Sequence, residues 1–121
     1  MHRQSASGGF TLLELLIVIA IIGILSAVLI PNLLNARARA FDTGAQACLK
    51  EAATAQELIA ADFPFTYDSS FDPKSIATCA EVTFTPYPAT VTDDDYAYVG
   101  KHARGMSTYT VSRGTSVTKV P

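Results

Sequence analysis

The sequence predicts an α+β fold in which one long N-terminal α-helix packs on a small antiparallel β-sheet of three or four strands. Three observations support this prediction. Residues 15–36 form a run of 22 residues without a charge, mostly Leu, Ile, Val and Ala. Helical periodicity continues beyond that run, and short alternating segments typical of strands follow in the last third of the chain.

Length and composition limit the chain to one small folded head attached to one apolar segment. Of its 121 residues, 49% are hydrophobic and 17% are charged, against about 25% charged in an ordinary soluble domain. This apolar content excludes disorder over most of the length. The formal net charge of −2 gives no overall basic field for nucleic acid. Two cysteines and two histidines do not support a four-cysteine zinc site.

The apolar segment is long enough to span a membrane, since a bilayer core needs about 20 apolar residues in helical form. A secretory signal peptide, cut near Ala36-Arg37-Ala38, would have a shorter apolar stretch. A plain membrane anchor fits the length but leaves Glu14 unexplained, because a carboxylate within a membrane segment is costly and marks a function.

The residues Gly8-Gly9-Phe10-Thr11-Leu12-Leu13-Glu14, followed by the apolar run, resemble the class III signal of type IV prepilins and type II secretion pseudopilins. The resemblance implies a leader, residues 1–9, that a prepilin peptidase of the inner membrane removes between Gly9 and Phe10. The same enzyme would methylate the new N-terminus at Phe10. Residues 10–34 would then be the hydrophobic half of the helix, used first in the membrane and later in a filament core.

Glu14 acquires a partner in this interpretation. Cleavage leaves a cationic amine on Phe10 at the positive end of the helix. In a bundle of identical helices, Glu14 of one subunit can lie beside the Phe10 amine of the next only if neighbours are axially staggered. The alternative is that Glu14 is a solvated acid at the start of the helix, in the headgroup region.

An amphipathic half, residues 35–61, continues the helix. Apolar residues recur there at spacings of three and four: Leu34, Ala38, Phe41, Ala45, Cys48, Ala52, Ala55 and Ile59. Asp42 is expected to fall off this stripe with most of the charged residues. The helix should end near Ala61 or Asp62, since the Phe63-Pro64 pair disfavours helical geometry.

Gly23 and Pro31 are the predicted weak points of the helix. A proline in a helix interior costs about 3 kcal/mol and a glycine about 1 kcal/mol. In the family that the chain resembles, the corresponding segment is often unwound in filaments. The alternatives are such unwinding and a simple proline kink in an otherwise intact helix.

The head, residues 62–121, begins with an irregular connection up to about Ala80. Alternation then predicts four strands in an antiparallel meander: Val82–Thr85, Tyr96–Val99, Thr108–Val111 and Ser116–Val120. One face of this sheet is expected to pack on the helix stripe, which is also the layout of the family that the chain resembles.

Cys48 and Cys79 are candidates for a disulfide between the helix and the connection before the first strand. An exported head would favour oxidation, and a loop of about thirty residues would be stabilised by about 3–4 kcal/mol. Two free buried thiols are the alternative. The C-terminal disulfide loop of many pilins is absent, because no cysteine follows Cys79.

Charge is unevenly distributed along the head. Residues 42–95 carry ten acids and two bases, whereas residues 96–121 carry four bases and no acid: Lys101, Arg104, Arg113 and Lys119. These bases could meet an acidic face of another subunit, or bind DNA with Tyr96, Tyr98 and Tyr109. The run Asp93-Asp94-Asp95 lacks the alternating spacing of a calcium loop and is better explained as a solvated turn.

Neither catalysis nor a cofactor is indicated, because the chain has no catalytic motif and only His102 remains after leader removal. Together with this absence, the resemblance to type IV prepilins implies a structural type IV pilus subunit. Its partners would be further copies of itself, the prepilin peptidase, the assembly machinery and the inner membrane. Its extracellular filament would serve motility, adhesion or DNA uptake. The alternatives are a pseudopilin of a type II secretion system and an uncleaved membrane-anchored binding domain.

Overall fold

The computed structural model describes residues 8–62, 66–85 and 91–121. One long helix, α1 (Leu12–Asp62), is followed by two short 3-10 helices, Pro73–Ser75 and Ala77–Cys79. Four strands complete the fold: β1 (Val82–Phe84), β2 (Ala97–His102), β3 (Tyr109–Ser112) and β4 (Thr118–Lys119). The predicted α+β class is confirmed. The chain divides into two compact units at Asn35 and Ala36.

The first unit is described from Gly8 to Asn35 and consists of the start of α1. Almost every side chain in it is exposed, and only Ser26 is partly buried. The exposed residues are predominantly Leu, Ile and Val, with exposed fractions from 46% to 85% between Leu12 and Leu34. Exposing this much apolar surface to water is unfavourable for a soluble monomer, so these residues need an apolar environment.

The second unit, Ala36–Pro121, has its core between α1 and the sheet. From the helix, Ala45, Cys48, Leu49 and Ala52 are fully buried. Three of these belong to the predicted stripe, whereas Leu49 was not expected. Asp42 and Gln56 are also buried on this face, so the expectation that Asp42 lies off the stripe is wrong. The helix ends at Asp62, as predicted.

The sheet is an antiparallel meander with strand order β1-β2-β3-β4, which confirms the predicted topology. In the register, Val82 lies opposite His102, Tyr98 opposite Val111, and Thr110 opposite Thr118. The second strand extends to His102, three residues beyond the predicted end at Val99. Pairing with β1 explains the extension, because Gly100 and Lys101 lie opposite Phe84 and Thr83.

Gly100 allows the helix and sheet to approach closely. A Cβ atom there would lie 2.9 Å from Val82 Cγ1 and 3.4 Å from Leu49 Cδ2. The first distance is shorter than van der Waals contact, so a side chain at this position would push β1 or the helix away.

Candidate functional site

The predicted cleavage junction lies just before the first turn of α1. Gly8, Gly9 and Phe10 are exposed and precede the first turn of α1. The Phe10 side chain is 86% exposed. The remainder of the predicted leader, residues 1–7, lies outside the described residues.

Thr11 and Glu14 form a capping box at the start of α1. The Glu14 Oε2 atom accepts hydrogen bonds from the Thr11 N–H at 2.9 Å and the Thr11 hydroxyl at 3.0 Å. The Thr11 hydroxyl in turn accepts from the Glu14 N–H at 3.2 Å. This reciprocal arrangement satisfies two donors of the first turn. Thr11 was not predicted as a capping residue, although the T-x-x-E spacing indicates it.

Glu14 therefore has one oxygen committed to its own helix. Its second oxygen, Oε1, accepts no hydrogen bond among the described parts of the chain. A carboxylate has acceptor sites on both oxygens, so the capping role leaves Oε1 able to accept a bond from a cation outside the chain.

The helix is long and apolar enough to cross a membrane. An 18-residue window within it has a mean hydropathy of 3.0, and none of that window is buried by the rest of the protein. Because apolar side chains are exposed on every face, the helix is also suited to being surrounded by other apolar helices. Packed Leu side chains are as apolar an environment as lipid tails.

Gly23 and Pro31 both lie within uninterrupted α1. Pro31 lacks the N–H that would bond to residue 27. The Asn32 side chain donates to the Val28 carbonyl at 3.2 Å, which adds a side-chain hydrogen bond to the backbone ladder beside the proline. A Cβ atom placed on Gly23 would meet no atom within 4 Å, so packing inside one chain does not require a glycine there.

Cys48 and Cys79 form a disulfide, with Cα atoms 5.0 Å apart and 31 residues of sequence separation. Both residues are completely buried. The bridge joins α1 to the 3-10 helix that leads into β1. Since no cysteine in the sequence is free, the alternative of two unpaired thiols does not apply to this structure.

Asp42 holds the β2–β3 loop against the helix. Its Oδ1 atom accepts hydrogen bonds from the Met106 N–H at 2.8 Å and the Ser107 N–H at 3.0 Å. The Asp42 residue is only 6% exposed. Charge-assisted bonds to two backbone donors compensate its burial, and they come from residues more than sixty positions away, so local sequence does not reveal them.

Gln56 and Glu57 attach the tyrosines of the head to the far end of α1. The Gln56 side-chain amide donates to the Tyr98 hydroxyl at 2.7 Å, and the Tyr96 hydroxyl donates to Glu57 at 3.1 Å. Burial raises the pKa of the Tyr96 phenol, and its hydrogen bond to Glu57 raises that pKa further. Burial also raises the pKa of Tyr98.

The four basic residues of the C-terminal segment do not form one patch. Arg104 follows β2 and pairs with Glu81 at 2.7 Å, which lowers the pKa of that carboxyl. Arg113 lies in the β3–β4 turn at the other end of β2, about 17 Å away along the strand. There its guanidinium donates to the Asp94 carbonyl at 2.6 Å. Lys101 and Lys119 lie on β2 and β4 and are exposed.

The expectation that tyrosines accompany these bases on a DNA-binding surface is wrong. Tyr96, Tyr98 and Tyr109 are 2%, 6% and 8% exposed. Their rings belong to the core against α1, so they cannot stack on bases, and base stacking is the contact that single-stranded nucleic acid requires.

The acidic run after residue 92 is a local turn. The Asp95 N–H donates to the Thr92 hydroxyl at 3.0 Å, and Asp95 Oδ1 accepts from the Tyr96 N–H at 2.8 Å. Within the described ranges, no three His, Cys, Asp or Glu side chains are grouped as a metal site requires.

Comparison with known proteins gives two kinds of similarity. Residues 4–30 match the prokaryotic N-terminal methylation motif. The chain is 44% identical over 105 residues to the type IV wide pilus major component PilA4 of Thermus thermophilus, an alignment that covers 80% of this chain and 75% of that protein.

A shorter match is to the type IV major pilin protein PilA of Myxococcus xanthus. It is 53% identical over 49 residues, which are 40% of this chain and 22% of that protein. The identity with the Thermus protein, by contrast, extends beyond the N-terminal helix into the head. The motif, the exposed apolar helix and this full-domain similarity agree, and the chain belongs to the type IV pilin family.

Proposed function

We propose that the chain is made as a precursor held in the bacterial inner membrane, loses residues 1–9 to prepilin peptidase, and polymerises into an extracellular type IV pilus. The observation that carries this proposal is the contrast in burial. Residues 12–34 are exposed on all sides and strongly apolar, whereas the head has its own closed core. The apolar half therefore serves contacts outside the chain, first with lipid and then with other copies.

Glu14 sets the stagger of neighbouring copies in this proposal. Cleavage after Gly9 creates an amine on Phe10, next to the positive end of α1. The capping box uses Oε2 of Glu14 and leaves Oε1 for the Phe10 amine of the adjacent subunit. Because a charge buried in an apolar filament must be paired, only staggers that bring the two groups together are stable.

After cleavage, three segments of the chain have different places in the filament. Residues 10–34 form the filament core, residues 35–61 carry the head, and residues 62–121 form the outer surface. The helix is continuous through Gly23 and Pro31 in the isolated chain. Because the proline has removed one backbone hydrogen bond, this segment is where the helix would unwind or kink during assembly.

Motility, adhesion and DNA uptake are properties that the polymer would have, and the pilin family is structural in character. A pseudopilin of type II secretion is the closest competing role, but the similar proteins of Thermus thermophilus and Myxococcus xanthus are both pilus proteins. The class of uncleaved, membrane-anchored binding domains is disfavoured because it gives no role to the methylation motif at residues 4–30.

Mass spectrometry of the N-terminus, with electron microscopy of the same cells, tests the proposal. Filaments sheared from the surface should contain a chain that begins with N-methylated Phe10, and a deletion strain should lack those filaments while still secreting its exoproteins. An intact Met1, or a chain cut after Ala38, would contradict it. Loss of secretion with normal surface filaments would favour the pseudopilin.

A further inference from the structure

Two large apolar side chains remain exposed on the head unit. Among the described residues from Ala36 onward, Leu58 is 63% exposed and Met106 is 60% exposed, and no other large hydrophobic side chain reaches that class. Leu58 lies near the end of α1, and Met106 lies in the β2–β3 loop. Each is therefore an isolated apolar group on an otherwise well-buried domain, and each requires an explanation.

Hydrogen bonds hold the loop backbone at Met106 in place. The Met106 N–H donates to Asp42 Oδ1 at 2.8 Å, and the preceding Gly105 N–H donates to the His102 carbonyl at 2.9 Å. A Cβ atom on Gly105 would lie 2.5 Å from Asp42 Oδ1, so the loop fits this close approach only with glycine. Because the loop backbone is already ordered, only the Met106 side chain loses freedom on binding, and its flexible thioether can adapt to an apolar surface.

Leu58 borders a shallow groove at the other end of the head. The groove has a volume of about 510 Å³ and is mostly apolar. Its lining includes Ala47, Thr54, Ala55, Leu58 and Ile76, with Lys50 and Glu51 at the rim. Thus the same unit carries a knob on the β2–β3 loop and an open groove on α1.

The charges around the knob and the groove are opposite in sign. The groove itself holds one base and one acid, Lys50 and Glu51, and Glu57 and Asp62 make this end of α1 net acidic. Near the knob, Arg104 is paired with Glu81, so the uncompensated positive charge comes from two other arginines. Arg37 and Arg39 are exposed on the same end of the unit, and the first acid after them, Asp42, is buried.

We propose that Met106 of one subunit inserts into the Leu58 groove of another copy of this chain in the pilus. A helical polymer needs contacts between two different surfaces of identical subunits, and the knob and groove are such a pair. The proposal rests on the proposed function, because it requires a polymer of this chain. The basic end around Arg37 and Arg39 then meets the acidic end of α1 around Leu58, which fixes the direction of the contact.

The spacing within one head gives the displacement of the two copies. The Asp42 bond places Met106 at the level of Asp42 on α1, and Leu58 lies sixteen residues later. At 1.5 Å per residue Leu58 lies about 24 Å from the knob along the helix, but the groove is lined by α1 from Ala47 to Leu58, so its middle lies only about 16 Å away. Two parallel copies must therefore be offset by about 16–24 Å for the contact to form.

Disulfide cross-linking in filaments tests the contact. In the Leu58→Cys/Met106→Cys double variant, oxidation should produce a ladder of dimers and longer multimers, because each subunit carries both partners. Each single variant should remain monomeric in denaturing gels. The matched control is Leu58→Cys with Ser116→Cys, which places the second thiol at an exposed residue of the β3–β4 segment and should give no ladder.

A substitution series provides a second measurement. Met106→Asp should lower the amount of filament at least about tenfold by removing an apolar anchor and placing a carboxylate against a mostly apolar groove, whereas Met106→Leu should assemble normally. Filaments that form without a ladder, or equal ladders in pair and control, would overturn the contact and leave the proposed function intact. A wild-type chain that forms no filaments would contradict the proposed function itself.

Discussion

Apolar side chains are exposed in residues 12–34 and largely buried in residues 36–121. In the first segment, Leu, Ile and Val side chains are about half to four-fifths exposed. In the second, Tyr, Val, Cys and Leu side chains close a core, and no buried side-chain nitrogen or oxygen lacks a hydrogen-bond partner in the described residues. Residues 12–34 therefore need lipid or a polymer around them, whereas residues 36–121 form a domain with its own core.

This difference separates the effects of mutations. Changes before residue 35 should alter assembly and leave the stability of the head unchanged. Changes in the core of the head should alter the free energy of unfolding and affect assembly only through loss of folded protein.

Glu14→Leu should have the largest effect. Leaving the Phe10 amine unpaired in an apolar core costs about 3–5 kcal/mol, so we expect filament mass to fall more than about a hundredfold. Electron microscopy and shearing assays would measure it, and the melting temperature of the head should not change. Asp94→Leu is the matched control because it removes one exposed carboxylate from the head. Normal filaments from Glu14→Leu would refute the pairing.

Replacing both cysteines, Cys48→Ala with Cys79→Ala, should have the largest effect on the head. A loop of 31 residues corresponds to about 3–4 kcal/mol of stability in the chain-entropy model. Thermal unfolding of the full chain in detergent micelles, followed by circular dichroism, would show the loss. Adding reductant to the wild type should reproduce most of it. An unchanged melting temperature in both experiments would show that the bridge is dispensable.

A pair of glycine substitutions tests close packing at the helix–sheet interface. Gly100→Ala should destabilise the head by about 1–3 kcal/mol because its Cβ would overlap Val82. Gly44→Ala should instead stabilise it by about 1 kcal/mol, since its Cβ would lie 3.6 Å from His102 in ordinary contact and alanine favours the helix. Chemical denaturation would measure both, and equal shifts of the same sign would contradict the interface geometry.

Tyr96→Phe should change the free energy of unfolding least, and it should also change how that free energy depends on pH. The folded pKa of Tyr96 is raised, so the folded protein retains a proton that the unfolded chain releases near pH 10. The stability that this contributes is complete below pH 10 and is lost as pH rises through the folded pKa. The free energy of unfolding of the variant should be about 1 kcal/mol lower at pH 7. Above pH 10 it should decline less steeply than that of the wild type. Identical slopes would contradict this.

The fold was largely predictable because local patterns determine it. Period-two alternation located all four strands, and the helix ended at Asp62 as expected. Periodicity also placed Ala45, Cys48 and Ala52 in the core. These features depend on neighbours a few residues apart, which a sequence displays directly.

The features that were missed depend on distant partners. Asp42 is buried because backbone donors reach it from Met106 and Ser107, and nothing near Asp42 in the sequence indicates them. Tyr96 and Tyr98 looked available for a ligand, but Glu57 and Gln56 hold their hydroxyls. Thr11 is the exception, because its capping box with Glu14 is a local motif that could have been recognised.

The Cys48–Cys79 bridge has a mechanical consequence. In a pilus under tension, load is transmitted along the helices. Without the disulfide, separation of the end of α1 from the sheet would allow the chain between Cys48 and Cys79 to extend. The covalent tie encloses 31 residues of sequence separation, which at full extension would measure about 100 Å. Because that length cannot be released while the bond is intact, a stretched head would yield only at elements outside the tie.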